Sequence, residues 1–459
     1  MSLLETLPDS ASTKPSLLPD PATPLAKAVQ RASLYTHGCR LNQAETELLR
    51  QQLQRRGYSI VPFDKPTDLA IINTCTVTRE AESKCRQSIR KLLRHSPQAF
   101  VAVIGCYSQT GADALAAIEG VDLIIGNNEK LRVLDYVGYG KNKPPVILRE
   151  RIHKEDFSID FVGDLPTDQR ANLKVQDGCD FGCAFCIIPR ARGRARSRDF
   201  NNLLAEARTL TANGVQEIIL TGVNIGTYSS SGYDFLKLVD ALDAIDGLHR
   251  IRISSIEPTT TPTQLLDRMN NPAHALLPYL HLPLQSGSDA VLQRMHRRYT
   301  IQEYVDFIAK AQRHVPDLCL GTDIMVGHPG ETETDFQQSC RIFCEQPFAY
   351  CHVFSYSERP GTPSARRNDS VPSNERQRRS AYLRRLSARK RHAFNTRFLG
   401  QTLEVLFERH HGEGLYSGYT SNFIRIHCHS TESNLINQRL PVKLECLDGE
   451  SVKGSIRSY

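Results

Sequence analysis

The residues with the clearest chemical potential are six of the chain's thirteen cysteines. Three stand together as Cys179-Asp-Phe-Gly-Cys183-Ala-Phe-Cys186, directly after an apolar run. Three thiolates on one tight loop can hold three irons of a cubane [4Fe-4S] cluster and leave the fourth iron without a protein ligand. An open iron can chelate the amino and carboxylate groups of S-adenosylmethionine (SAM) and pass one electron into its sulfonium. Carbon–sulfur cleavage then gives a 5′-deoxyadenosyl radical that takes hydrogen from an inert carbon. The competing chemistry is zinc, which normally wants four ligands, so a fourth would have to come from elsewhere in the chain.

The other three are dispersed. Cys39, Cys75 and Cys106 lie in Thr-His-Gly-Cys, Asn-Thr-Cys and Ile-Gly-Cys contexts, each just after an apolar run. Adjacent parallel strands are roughly 4.8 Å apart, so loops at their carboxyl edges can gather distant cysteines. Gly38 and Gly105 would let the backbone turn tightly beside a bulky inorganic core. A second three-thiolate [4Fe-4S] cluster is the expectation. The remaining cysteines, Cys85, Cys319, Cys340, Cys344, Cys351, Cys428 and Cys446, read as ordinary buried or free thiols.

These loops need elements to hold them, and 459 residues suffice for about three domains. Residues 1–30 carry Pro8, Pro15, Pro19, Pro21 and Pro24 with no basic start or apolar core, and read as a disordered tail rather than a signal peptide. From 31 to 138, apolar runs at 32–36, 69–73, 100–104 and 121–125 alternate with helical stretches at 43–56, 79–94 and 111–118. That alternation predicts a doubly wound α/β sheet. Residues 139–168, rich in Lys, Pro and Asp, read as a linker, with room for a strand. From 169 to 395, runs at 172–176, 217–221, 251–255, 279–284, 319–326 and 350–354 fit a complete or partial (β/α) barrel with its site at the carboxyl ends of the strands. Residues 396–459 hold short runs at 402–407, 414–420, 422–427 and 440–447 with glycine turns, the pattern of a small β-barrel. No run of about 18 apolar residues predicts a membrane span. With no export signal, clustered cysteines point to a reducing, cytoplasmic setting.

Motifs along nearly the whole chain from residue 31 resemble the methylthiotransferase branch of radical SAM enzymes. They include Thr36-His-Gly-Cys-Arg-Leu-Asn-Gln-Ala-Glu-Thr-Glu47, Ile72-Asn-Thr-Cys-Thr-Val-Thr78, Gly105-Cys-Tyr-Ser-Gln109, Leu220-Thr-Gly-Val-Asn224, His281-Leu-Pro-Leu-Gln-Ser-Gly-Ser288 and Thr322-Asp-Ile-Met-Val-Gly-His-Pro-Gly-Glu-Thr-Glu333. Within that branch, Cys85-Arg-Gln-Ser-Ile-Arg90, Phe185-Cys-Ile-Ile-Pro-Arg-Ala-Arg-Gly193 and Arg252-Ile-Ser-Ser-Ile-Glu-Pro258 resemble the MtaB-type group. Those enzymes methylthiolate C-2 of N6-threonylcarbamoyladenosine at position 37 of tRNA. The resemblance implies that Cys179, Cys183 and Cys186 hold the SAM-cleaving cluster and Cys39, Cys75 and Cys106 an auxiliary cluster carrying the sulfur. It implies two SAM per turnover, one as methyl donor and one as radical source, and an electron donor such as flavodoxin or ferredoxin. Gly222, Asn224, Glu257 and Gln285, at strand ends, become candidates for contacting SAM. A tight turn or a helix cap would also account for them. The sequence departs from the family in its Pro-rich tail and in His328, where Phe is usual.

The family ends in a small RNA-binding β-barrel called TRAM, which residues 396–459 fit in size. The net charge of +7 is uneven, with nine Lys or Arg and one acid, Glu375, between Asn374 and Arg397. Arg376, Arg378, Arg379, Arg384 and Arg385 can pair with phosphates, or simply form a solvated face. Tyr416, Tyr419 and Phe423 can stack on the bases of a tRNA anticodon stem-loop or fill a barrel core. Other readings are methylthiolation of isopentenyladenosine or of a ribosomal-protein aspartate, and a zinc-containing RNA-binding protein.

Overall fold

The computed structural model describes residues 30–137, 141, 143–161, 170–432 and 434–457. The expected tail, apart from Gln30, lies outside the described residues. The first unit is an all-parallel sheet of β1 (Arg31–Thr36), β2 (Ser59–Ile60), β3 (Leu69–Thr74), β4 (Phe100–Gly105), β5 (Leu123–Ile125) and β6 (Val146–Leu148), ordered β2-β1-β3-β4-β5-β6. Helices α1 (Arg40–Arg55), α2 (Arg79–His95), α3 (Cys106–Thr110) and α4 (Ala112–Ala116) connect the strands. Alternate residues serve opposite cores: Ile72, Val101 and Val103 face one, Ile71, Ala102 and Ile104 the other. Burial on both faces is why these strands read as unbroken apolar runs. Strand order reverses between β1 and β3, the place where such sheets bind ligands. β6 falls inside the stretch expected to be a linker; its register with β5 makes it the edge of this sheet.

The second unit starts with β7 (Arg170–Lys174), the ribbon β8 (Gln176–Asp177) with β9 (Arg196–Ser197), β10 (Glu217–Thr221), and the ribbon β11 (Ser229–Ser230) with β12 (Tyr233–Asp234). β13 (Arg250–Ile253), β14 (Tyr279–His281), β15 (Cys319–Val326) and β16 (Tyr350–Ser355) complete it. β7, β10 and β13 form one parallel sheet and β14, β15 and β16 another. Bridging at Ile251–Leu276 and a 3.1 Å bond from Ile256 N–H to His281 O join them into a partial barrel. The helices are α5 (Ile188–Arg192), α6 (Phe200–Ala212), α7 (Phe235–Asp243), α8 (Leu265–Asn270), α9 (Asp289–Arg294), α10 (Ile301–His314), α11 (Glu333–Glu345) and α12 (Ser373–Thr396). Leu280, Leu282, Leu320, Ile324 and Val353 pack under them. The alternate positions His281, Asp323 and His352 therefore face the lumen.

The third unit is a closed barrel of β17 (Thr402–His410), β18 (Leu415–Thr420), β19 (Arg425–His429), β20 (Arg439–Asp448) and β21 (Ser451–Ile456). β21 has no counterpart among the apolar runs, since Ser451-Val-Lys-Gly-Ser-Ile456 offers two apolar side chains. This barrel docks on the amino-terminal end of the partial barrel, where Arg250 and Arg252 donate to the carbonyls of Tyr419 and Ser421. That placement answers the stacking expectation. Tyr416 is buried, Tyr419 stacks on Phe423 at 4.9 Å, and Arg170 and Arg252 cover those two rings. The three aromatics build the barrel core and the domain contact. Among the described residues no helix is long and apolar enough to cross a membrane.

Candidate metal centres and cofactor site

Cys39, Cys75 and Cys106 sit at the carboxyl ends of β1, β3 and β4, three neighbouring strands at the point where strand order reverses. Gly38, at φ +100°, makes the approach possible: a Cβ there would lie 2.9 Å from Cys75 Cβ. Gly105, at φ +97°, would put one 2.4 Å from Asn73 Oδ1. Asn42 ties two of the loops, its amide donating to His37 O (2.7 Å) and Thr74 O (3.0 Å). Thr74 ties the third, its hydroxyl donating to Ile104 O and accepting from Tyr107 N–H.

Cys179, Cys183 and Cys186 lie on the loop between β8 and α5. Cys179 N–H bonds Gly193 O (3.1 Å) and Cys186 N–H bonds Cys183 O (3.0 Å), which folds the loop on itself. Burial pushes the Cys186 thiol up to about 12 and Cys179 to about 11; in the other trio it pushes Cys75 up to about 12. Such thiols stay protonated unless a cation takes the proton's place. Burial raises Cys183 too, and Arg297 opposes that rise, its Nη1 lying 3.3 Å from Cys183 Sγ and 3.1 Å from Glu257 Oε1. Tyr299 fixes the guanidinium by accepting from it at 3.2 Å and donating to Pro283 O.

The four SAM candidates behave differently. At Gly222 a Cβ would meet Ile225 Cγ2 at 2.6 Å and Gln176 Oε1 at 2.9 Å. Gln176 Oε1 in turn accepts the N–H groups of Val223 and Asn224, so the absence of a side chain at 222 holds this loop open. Asn224 is buried; its Oδ1 accepts from Thr260, while its Nδ2 has no partner among the described residues. Gln285 takes φ +66°, and its side chain makes no hydrogen bond among the described residues. Glu257 instead spends both carboxylate oxygens on Arg297, which leaves it little to offer SAM.

All six cysteines are free, as cluster ligation demands. Val77 N–H, Asn127 Nδ2 and Phe181 N–H point at the sulfurs of Cys75 (3.5 Å), Cys106 (3.6 Å) and Cys179 (3.4 Å), the hydrogen bonds that tune iron–sulfur centres. A single zinc with bonds of about 2.3 Å would hold its sulfurs roughly 3.8 Å apart. Among the described residues neither trio has all its sulfurs within even 4.8 Å of one another.

Between the trios lies a buried ionic hub. Glu45 of α1 contacts Lys130, Lys174 and Arg192; Asp177, two residues before Cys179, contacts Lys174 (2.7 Å) and Arg192 (2.9 Å). Arg192 also sits within electrostatic reach of Cys106 and Cys39. Asn127 completes the bridge, donating to Ala191 O (2.6 Å) as well as to Cys106 Sγ. Neither the hub nor Arg297 was legible as part of a site. Arg297 is 114 residues from Cys183, and only the fold brings them together.

The phosphate-pairing expectation for α12 needs correction. Arg379 is buried against Glu331 (2.7 Å), Arg378 pairs with Glu333 (2.6 Å) and Glu375, and Arg376 donates to the carbonyls of Val371 and Tyr356. Arg384 and Arg385 remain exposed.

Residues 173–343 match the radical SAM superfamily, and residues 31–126 match uncharacterized protein family UPF0004. The chain is 36% identical to threonylcarbamoyladenosine tRNA methylthiotransferase MtaB of Bacillus subtilis, over 90% of this chain and 93% of that one. It is 34% identical to tRNA-2-methylthio-N(6)-dimethylallyladenosine synthase of Protochlamydia amoebophila, over 84% and 87%. The fold is shared with the radical SAM methyltransferase TsrM of Kitasatospora setae at a TM-score of 0.53, 15% identity and 74% of either chain. The chain thus belongs to the methylthiotransferase family of radical SAM enzymes.

Proposed function

We propose that this protein adds a methylthio group to C-2 of N6-threonylcarbamoyladenosine at position 37 of tRNA, using two SAM per turnover, one as methyl donor and one as radical source. The observation that carries the reading is the pairing of two free cysteine trios on either side of one ionic hub. Cys179, Cys183 and Cys186 would hold the cluster that binds SAM; Cys39, Cys75 and Cys106 would hold the second. Once bound, these groups supply the electron, the hydrogen-abstracting radical and the transferred sulfur. The chain's own residues do the rest. Arg297 donates to Cys183 Sγ, which favours thiolate there, and Asn127 donates to Cys106 Sγ. The free amide of Asn224 and the open loop at Gly222 receive SAM. The anticodon stem-loop is the RNA element engaged, a flavodoxin or ferredoxin the electron donor and the cytoplasm the compartment.

The dimethylallyladenosine synthase at 34% identity supports a second reading, in which the N6 substituent is an isoprenoid. Nucleoside analysis of tRNA from a strain lacking the gene separates the two. Loss of 2-methylthio-threonylcarbamoyladenosine is expected; loss of the dimethylallyl derivative instead would overturn the assignment. Anaerobic protein should carry about eight irons.

A further inference from the structure

The partial-barrel lumen holds a cluster that the chemistry above leaves unused. Asp323 on β15 lies opposite His352 on β16 in the strand register. One carboxylate oxygen, Oδ1, lies 2.9 Å from His281 Nε2 and 3.3 Å from His352 Nδ1. The far side of His281 is fixed by Tyr350, whose hydroxyl is 3.2 Å from Nδ1 and 2.6 Å from the Tyr279 hydroxyl. Gly321 makes room for that support, since a Cβ there would strike the Tyr350 ring at 2.4 Å. The other side is open: His352 has 59% of its side chain exposed, and Phe354, two positions along the same strand, is 42% exposed.

Arg40 of the first unit lies within electrostatic reach of residues at the same lumen. It is the residue after Cys39, the first of α1 and only part-exposed. Besides burial, the groups that act on its charge are Arg170, Tyr279, Arg252 and Tyr350, so it lies within electrostatic reach of the phenols that support His281. Among the described residues it has no carboxylate partner and no side-chain hydrogen bond. Among its neighbours Arg170 and Arg252 pair with Glu217, and Arg250 with Glu217 and Glu404, while Arg391 lies over the Tyr350 ring. A sequestered guanidinium without an anion, among like charges, is costly unless a ligand supplies the anion.

We propose that Arg40, His281, Asp323 and His352 form the recognition site for the N6 substituent of the target adenine, and that they select a substituent ending in a carboxylate. This rests on the tRNA reading above and deepens it. Threonylcarbamoyl carries a ureido N–H for Asp323 to accept, oxygens for His352 to contact, and a carboxylate for Arg40. An isoprenoid offers none of these, and polar groups left unpaired in the lumen would reject it. Phe354 supplies an aromatic face on which a flipped-out base can stack.

The test uses reconstituted holoenzyme and fluorescent anticodon stem-loops carrying threonylcarbamoyladenosine, dimethylallyladenosine or plain adenosine at position 37. Wild type should prefer the first by about tenfold or more. Arg40→Gln and His352→Ala should each collapse that preference toward unity while leaving affinity for the plain loop unchanged, and Arg40→Lys should restore part of it. His352 is remote in sequence from every cysteine of the two trios, so it reports even if Arg40→Gln lowers iron content. A wild type that prefers dimethylallyladenosine sinks the functional reading itself. A wild type that prefers threonylcarbamoyladenosine with variants that keep the full preference sinks this site alone. So does one tightly held divalent ion per chain that His352→Ala releases, because ligated Asp323 and His352 could not reach the substituent.

Discussion

His328 is the residue at which this chain departs from its family's usual Phe inside an otherwise matching motif, and the structure gives the departure a consequence. The ring is fully buried, with Nε2 2.8 Å from Ser364 Oγ. Burial lowers its pKa to about 4, and the nearby Arg294 and Arg367 add to the effect. The folded protein therefore keeps the ring neutral, while the unfolded chain takes up a proton near pH 6.5. Stability is complete above about 6.5 and is lost as pH falls toward 4, by up to about 1.4 kcal/mol per pH unit. His328→Phe removes this term. Its melting temperature should fall less than that of wild type between pH 7 and pH 5; parallel curves would show that His328 does not set the acid limb. At this scale the cysteines were readable because their spacing and strand-end contexts are local. Arg297 was not, since its partners Glu257 and Cys183 are 40 and 114 residues away.

At the scale of elements, central strands such as β3, β4 and β10 were legible as apolar runs because they are covered on both faces, whereas the exposed edge strand β6 was not. α12 shows where such reading stops. Its charge run is plain in the sequence, yet periodicity cannot tell which arginines are spent on acids of a neighbouring helix. Arg378 and Arg379 meet Glu333, at the first position of α11, and Arg379 also meets Glu331 just before that helix. Arg384, Arg385 and Arg389 point outward. The two sets should therefore fail differently. Changing Arg384, Arg385 and Arg389 together to Gln should weaken tRNA binding and make its log–log salt dependence shallower by about 2 to 3, with the urea midpoint nearly unchanged. Arg379→Gln should leave the salt slope alone and cost roughly 3–5 kcal/mol, because it strands Glu331 without its partner. An equal salt-slope change from both variants would put Arg379 on the RNA after all.

The whole molecule depends on how the first unit is held against the partial barrel, and the ionic hub is the main candidate for that role. Glu45 is buried on α1, while Lys174 and Arg192 belong to the barrel. Three surrounding cations hold its carboxyl far below the usual range despite complete burial. Around it the hub holds two acids, Glu45 and Asp177, against Lys130, Lys174, Arg192 and Arg196. Of these cations Arg192 lies within electrostatic reach of Cys39 and Cys106, so one network serves both docking and the cysteine loops. Nothing in the sequence could show this, because each contributor looks like an ordinary surface charge until the units meet. Glu45→Gln leaves the cations facing Asp177 alone and should cost about 3–5 kcal/mol. Removing the opposing charge as well, in Glu45→Gln with Arg192→Met, should cost clearly less than the sum of the single changes, because the second substitution relieves repulsion that the first creates. Urea unfolding of the four proteins, with iron content measured alongside, reads both effects. If the single changes simply add, the hub is a set of independent contacts and the units are held together by apolar packing instead.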